Sequence, residues 1–419
     1  MTGSWELTFI LICASLGALF VAFNNGANDV ANAFASAVGS KALKIRHALL
    51  IAAILNLCGA LMLGSNVSKT LIDGISNIRY LSDPKAYITG MLSCMIAAGS
   101  FIFLSTRTGL PVSSTHAIVG GLMGISIING GLKAVNWISF IKLAVSWIIT
   151  PLLAAAVAFY TIKLIRATIF HGDHNSIMQR AYRWLPIFAS IMVGALLLSM
   201  THGSPMLQRA QLNLSSVCVL IMAIVYFITR RLTHRLTVKY ADRKFGIERV
   251  FKRFQAGTSC LIGFAIGSND VANSVTPVVI IYFIAKLGHI PESFSNFDIP
   301  IWLLMIGGIG MSIGVLSLGH KVIGTLGKSI TLLTNSRGFS VDFATATTII
   351  AASVFGIPIS STHAATGAIF GVGLENGIKG INIQLLVKIF ITWLITVPTA
   401  ALFTVFIYGI LRFFMLIFL

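Results

Sequence analysis

Apolar residues in this chain come in runs. They neither alternate nor form narrow stripes, and short polar stretches separate one run from the next. Several runs reach the roughly 20 residues that a helix needs to cross a bilayer. The pattern predicts segments over about Trp5–Phe23 (resuming after a polar interruption to Val38), Ala48–Gly64, Ile88–Leu104, a Gly-rich piece ending near Asn129, and Ile138–Leu164. Two plainer runs follow, Leu185–Met200 and Leu214–Ile228. The earlier pattern then returns: Ala256–Ala285 with a polar interruption, Ile301–Leu318, Phe343–Phe355, a second Gly-rich piece, and a last run holding Trp393 and Pro398. About twelve segments result.

The return is a duplication. Gly26-Ala27-Asn28-Asp29-Val30-Ala31-Asn32-Ala33 reappears as Gly267-Ser268-Asn269-Asp270-Val271-Ala272-Asn273-Ser274. Downstream, Gly109-Leu110-Pro111-Val112-Ser113-Ser114-Thr115-His116 reappears as Gly356-Ile357-Pro358-Ile359-Ser360-Ser361-Thr362-His363. The aspartates lie 241 positions apart; the histidines lie 247 apart, as do Pro151 and Pro398. Internal repeats of this size are the mark of secondary transporters. Residues 1–165 form a first repeat, 166–253 two linking segments and a basic stretch, and 254–419 a second repeat. Parity places the two repeats in opposite orientations, with the N-terminus outside. The parity is the same if the third and fourth segments of each repeat are re-entrant hairpins.

Composition agrees with this reading. The chain is 56% hydrophobic and only 10% charged, with mean hydropathy +0.90, against about 25% charged in ordinary globular chains. The fold class is therefore all-α, a polytopic membrane protein of two inverted repeats with broken helices or re-entrant hairpins. The first run lacks a basic leader, so no cleavable signal is expected. The net charge of +18 does not indicate nucleic acid, because Lys and Arg cluster between the apolar runs, where they set topology. Nine of them fall within Arg230–Arg253, read as a cytoplasmic loop. Cys13, Cys58, Cys94, Cys218 and Cys260 fall inside predicted spans without metal-ligand spacing, and read as small core residues.

Two motifs carry the chemistry. A carboxylate inside an apolar span is costly and is by default a functional group. Asn24, Asn25, Gly26 and Asn28 are weak helix formers, so a helix break is expected at this motif. Unwound carbonyls, amide oxygens and Asp29 would then make a hard-oxygen cage for a small cation. The cage draws on Asn25, Asn28, Asp29 and Asn32 in the first copy and on Asn269, Asp270 and Asn273 in the second. The alternative is that each aspartate caps the helix that follows. In the second motif, Pro and the hydroxyls of Ser113, Ser114, Thr115, Ser360, Ser361 and Thr362 precede apolar helices. A hydroxyl-bearing helix start is an anion site. The alternative there is an ordinary cap. His116 and His363 either orient those hydroxyls and carry a proton, or are satisfied by backbone groups. A cation held between the aspartates would complete the anion site, which couples the two ligands.

These paired motifs resemble the signatures of the inorganic phosphate transporter (PiT) family, across both repeats. The resemblance implies a twelve-segment inverted-repeat fold, a homodimer, and phosphate symport with sodium or protons. It also implies that Asp29 and Asp270 are essential, with Ser113, Thr115, Ser360 and Thr362 close to phosphate. Asp342 matches an acidic position of the family's second repeat, as a proton or ion site or as a cap. Two departures leave the coupling ion open. Sodium-linked members often carry Glu where Leu55-Asn56-Leu57 stands, and proton-linked members often read His-Asp where Asn28-Asp29 stands. The expected protein is a symporter in the plasma (inner) membrane of a prokaryote, with phosphate, the coupling ion and the lipid bilayer as its partners, no cofactor and no enzymatic activity. Sulfate is the alternative substrate. A channel is a further rival, and so is an intramembrane hydrolase, which would need one constellation of residues where this chain has two.

Overall fold

Twelve α-helices are formed by the described residues, which are 4–108, 112–203, 214–240, 246–294, 297–326, 334–375, 377 and 383–418 of a computed structural model. They are α1 (Ser4–Gly39), α2 (Ile45–Ile75), α3 (Pro84–Thr108), α4 (Ser114–Gly130), α5 (Trp137–Thr168) and α6 (His174–Gly203). After these come α7 (Leu214–Lys239), α8 (Gly246–Leu287), α9 (Ile301–Leu326), α10 (Asn335–Val354), α11 (Ser361–Leu374) and α12 (Ile383–Phe418). Nine are long and apolar enough to span a bilayer, and the protein is an integral membrane protein.

The helices outrun their apolar runs. Arg230–Lys239 continues α7, and α8 begins at Gly246, so most of the stretch expected to be a cytoplasmic loop is helical. Likewise His174–Trp184, a polar stretch outside the predicted apolar runs, opens α6. Lys, Arg, Gln and Glu are good helix formers, so a span keeps its helix beyond the lipid. Of the cysteines, Cys94 and Cys218 are buried, Cys13 and Cys260 half-buried and Cys58 exposed; Cys58 is therefore not a core residue.

A second correction concerns the doubled Asn-Asp motif. α1 is unbroken for 36 residues and α8 for 42, straight through both copies. The glycines are there for close packing. A Cβ on Gly26 would run into the main chain of Met311 in α9, and one on Gly267 into the main chain of Asn56 in α2. Small residues are what let membrane helices approach this closely. α1 accordingly lies along α9, and α8 along α2.

The pieces that do end inside the bundle are two hairpins. α3–α4 starts and finishes at one end. Its base is tied together where Asn77 N–H donates to the Ala134 carbonyl at 2.7 Å and Asn136 N–H to the Ile75 carbonyl at 2.9 Å. That end also holds the C-terminal side of α8, since Asp73 accepts from the N–H of Phe294 at 2.9 Å. The base of α10–α11 is at the other end of α8: Ser336 N–H donates to Glu248 at 2.9 Å, and Glu375 pairs with Arg166 and Arg337. We call this second end the basic end, because α7 delivers Arg230–Lys239 there. The hairpins thus come in from opposite ends, and their tips meet mid-bundle.

Candidate functional site

The meeting of the tips is made by the second motif. Ser113 and Ser360 cap α4 and α11, accepting from the N–H of His116 (3.2 Å) and His363 (3.3 Å). Thr115 donates to the Ile359 carbonyl at 3.1 Å, and Thr362 donates to the Val112 carbonyl at 3.3 Å. Each threonine therefore fastens its own tip to the other. Gly109–Pro111, part of the first copy, lie outside the described residues.

The first motif closes around this junction. Asn32 donates both to Asp29 (3.2 Å) and to Thr362 (3.0 Å), so α1 reaches across to α11. Asn273 donates to Ser114 (3.1 Å) and Thr115 (3.2 Å), so α8 reaches across to α4. Ser114 in turn donates to Asp29 at 3.4 Å, and Ser361 faces Asp270. The two carboxylates are fully buried and side by side, near enough for each to act on the other. Among the described residues, neither has a Lys or Arg partner. Like charges at about 4 Å repel by roughly 4 kcal/mol at an effective dielectric of 20.

Oxygens without donors accumulate here. Both oxygens of Asp270 and the side-chain oxygen of Asn25 are buried and accept no hydrogen bond. Asn25 uses its amide to donate to the Asp270 main-chain carbonyl at 3.3 Å. A buried acceptor without a donor calls for an explanation, and several of them beside two carboxylates are the surroundings of a cation. The helix starts supply the opposite chemistry. First-turn N–H groups of α4 and α11, together with Ser114 and Ser361, are what an anion binds.

Not every candidate joins this cluster. Asn28 donates to Thr106 at 3.0 Å, at the end of α3. Asn269 donates to Ser353 (3.2 Å) and the Ile357 carbonyl (3.1 Å), and accepts from Ile359 N–H (3.3 Å). These two asparagines pin the hairpins to α1 and α8. Thr106 and Ser353, their partners, escaped the sequence reading although they too lie 247 positions apart. His116 and His363 turn away from the aspartates. Each donates through Nδ1 to a carbonyl of the other half, His116 to Trp393 at 3.1 Å and His363 to Trp147 at 3.0 Å. The imidazoles lie against Trp147 and Trp393 (centroids 3.8 and 3.5 Å) and border an apolar cavity of about 680 Å³ between α5 and α12. Asp342 lies apart from the pair, on α10, accepting from Ser36 (2.5 Å) and Ser259 (2.6 Å).

Known proteins share this plan. Residues 25–404 match the model of the phosphate transporter family, which takes in both motif pairs. A protein of Pyrococcus abyssi named "Putative phosphate permease" is 37% identical over 409 residues, covering 96% of this chain and 98% of the relative. One of Haemophilus influenzae with the same name is 34% identical over 420 residues, covering 98% and 97%. The solved structure of a protein described as the sodium-dependent phosphate transporter superposes with a TM-score of 0.87 at 39% identity, over 97% of this chain and 99% of that one. With both doubled motifs inside the matched span and the whole bundle superposed, the chain belongs to the phosphate transporter family.

Proposed function

We propose that this protein is a symporter that carries inorganic phosphate with a coupling cation, sodium first, around the site where the hairpin tips meet. The observation that carries the reading is the pair of buried carboxylates, without a basic partner among the described residues, facing two helix starts. An anion alone would be repelled there by Asp29 and Asp270. A cation held by Asp29, Asp270 and the donor-free oxygen of Asn25 neutralises them and draws the anion in. By linkage the anion then tightens the cation. Ser113, Ser114 and Thr115 with Ser360, Ser361 and Thr362 supply the anion's donors. Asn25, Asn28, Asn32, Asn269 and Asn273 hold the cation's surroundings in place. Asp342, with the hydroxyls of Ser36 and Ser259 against it, is a second ion or proton site. The imidazoles of His116 and His363 brace the helix starts from behind.

Sodium is favoured because the solved relative that superposes on this chain is a sodium-dependent transporter. We further propose that the two halves are inverted repeats, that the basic end faces the cytoplasm as the positive-inside rule requires, and that the protein works as a homodimer in a prokaryotic plasma membrane. The deciding experiment is uptake of labelled phosphate and labelled sulfate into proteoliposomes, with sodium and proton gradients imposed separately. Phosphate uptake driven uphill by sodium is the expected result. Uptake that follows only the phosphate gradient would mean a channel.

A further inference from the structure

Behind the hairpin tips four rings form one cluster. His116 lies against Trp147 and His363 against Trp393, and the two imidazoles meet edge to face with centroids 4.7 Å apart. Each imidazole is pinned by the bond from its Nδ1 to a carbonyl of the other half. Pro151 has no N–H to offer the Trp147 carbonyl one turn back, which leaves that carbonyl for His363. A carbonyl only accepts, so each Nδ1 carries a proton and each Nε2 of the neutral ring keeps its lone pair. Both Nε2 atoms, and the indole N–H of Trp147 and of Trp393, have no partner among the described residues. His363 is 2% exposed, and Trp147, the most open of the four, 8%. Buried polar groups are nearly always paired, yet two acceptors and two donors are left over here around one space.

That space is the cavity of about 680 Å³ between α5 and α12, which all four rings line. Ligand sites have volumes of roughly 300–1,000 Å³ and apolar walls with a few placed polar groups. Phe140, Leu152, Phe370 and Phe390 supply such walls. Ile148 and Leu152 of α5, with Phe390 and Leu394 of α12, line the cavity and are also exposed, on two helices long and apolar enough to span the bilayer. The cavity therefore opens sideways to lipid. Water alone suits it badly, because cavities with apolar walls stay dry. A hydroxyl meets the leftover groups, since it donates to an imidazole nitrogen and accepts from an indole N–H at once. The apolar walls call for an alkyl chain behind that hydroxyl. A second copy would bring helices about 10–12 Å across, which cover such a mouth without entering it.

We infer that this cavity binds an aliphatic alcohol drawn from the bilayer, with its hydroxyl in the His–Trp cluster and its chain between α5 and α12. The bound molecule presses on the back of the two imidazoles, whose own backbone N–H groups hold the Ser113 and Ser360 caps. The full-length protein in lipid nanodiscs is labelled with two photoreactive probes: a diazirine-bearing hexadecanol and the same chain ending in a methyl group. Cross-links on Ile148, Leu152, Phe390 and Leu394 are measured relative to those on Phe9 and Leu16, exposed residues of α1 that report plain lipid contact. The alcohol should be enriched at the cavity about tenfold over the methyl-ended chain, because the latter leaves the buried nitrogens unpaired. Excess unlabelled hexadecanol should displace it. Trp147→Phe with Trp393→Phe keeps both aromatic rings, removes both donors and should cut the enrichment severalfold. Equal enrichment of the two probes, enrichment that hexadecanol does not displace, or unchanged enrichment in the double variant overturns the inference. The two probes are compared on wild type, so the test survives poor folding of the double variant. If neither probe labels the cavity residues above the α1 level, a second copy or water occupies the site and the inference fails.

Discussion

Hairpins α3–α4 and α10–α11 are alike at their tips and unlike in their arms. At the tips three kinds of bond are twinned: Ser113 and Ser360 cap, Thr115 and Thr362 cross over, Asn32 and Asn273 reach in. In the arms, α10 carries Asp342 with two hydroxyls against it, whereas α3 carries the buried Met95 in the equivalent place. Two copies of one sequence have therefore kept their polar groups where the tips meet and lost the likeness further out. They have diverged in the arms, which run to opposite ends of the bundle. On the proposed function, the symmetric part is the one that holds the shared ligand.

The sharpest way to break the tip half of this comparison is at the aspartates. Asp29→Asn and Asp270→Asn keep shape and remove the charge that holds a cation. Each should lower sodium-driven phosphate uptake by about a thousandfold, ~4 kcal/mol on the barrier. Labelled uptake checks it. Loss in one variant with wild-type rates in the other would show that the twins are not equivalent.

The arm half is tested by Met95→Asp. It gives the first hairpin the charge of the second without its support, because Ala14, Ala18 and Gly17 offer no hydroxyl. An unsupported carboxylate at this depth costs about 3 kcal/mol. A clear drop in melting temperature of the purified protein is expected. Unchanged stability would mean that water already reaches this seam.

A subtler difference lies in how the hairpins are pinned. Asn269 makes three bonds to the second hairpin, and Asn28 one to the first. At about 1 kcal/mol per bond, Asn269→Ala should destabilise by ~2–3 kcal/mol and Asn28→Ala by ~1 kcal/mol. Denaturation of the two variants side by side reads the ratio.

Much of this was open to view in the sequence, for a physical reason. Duplication makes each motif its own control, so Asn-Asp and Ser-Ser-Thr-His stood out without any alignment. The hydrophobic runs fixed the number of segments because lipid leaves the backbone no alternative to helix. What misled was local propensity. Asn24, Asn25 and Gly26 look like a break, yet the helix persists because neighbouring helices need the small residue. What stayed hidden was pairing across distance. Ser36 and Ser259 are unremarkable serines until the fold sets them on either side of Asp342. Trp147 and Trp393 were visible as landmarks, but that each offers its carbonyl to the histidine of the other half follows only from the crossing of α4, α5, α11 and α12.

The smallest expected effect is at the ends of the hairpins' return arms. At the basic end, Glu375 follows α11 and pairs with Arg166 of α5 and with Arg337. At the opposite end, Asn129 of α4 accepts from Tyr408 of α12 at 2.8 Å, and Arg412 donates to the same hydroxyl at 3.2 Å. Equivalent closures are thus ionic on one side and neutral at the acceptor on the other. Arg166 is 45% exposed, so its pair contributes about 1 kcal/mol or less. Glu375→Gln should destabilise the protein by that amount in low salt. At 1 M salt the screening length shrinks to about 3 Å, and the gap between Glu375→Gln and wild type should close. Tyr408→Phe removes the bonds to Asn129 and from Arg412, neither of them between opposite charges, and should cost about 1 kcal/mol at either ionic strength. Melting curves at the two salt concentrations distinguish the closures. A salt-independent Glu375→Gln would show that the ionic end is held by its hydrogen-bond geometry, like its neutral counterpart.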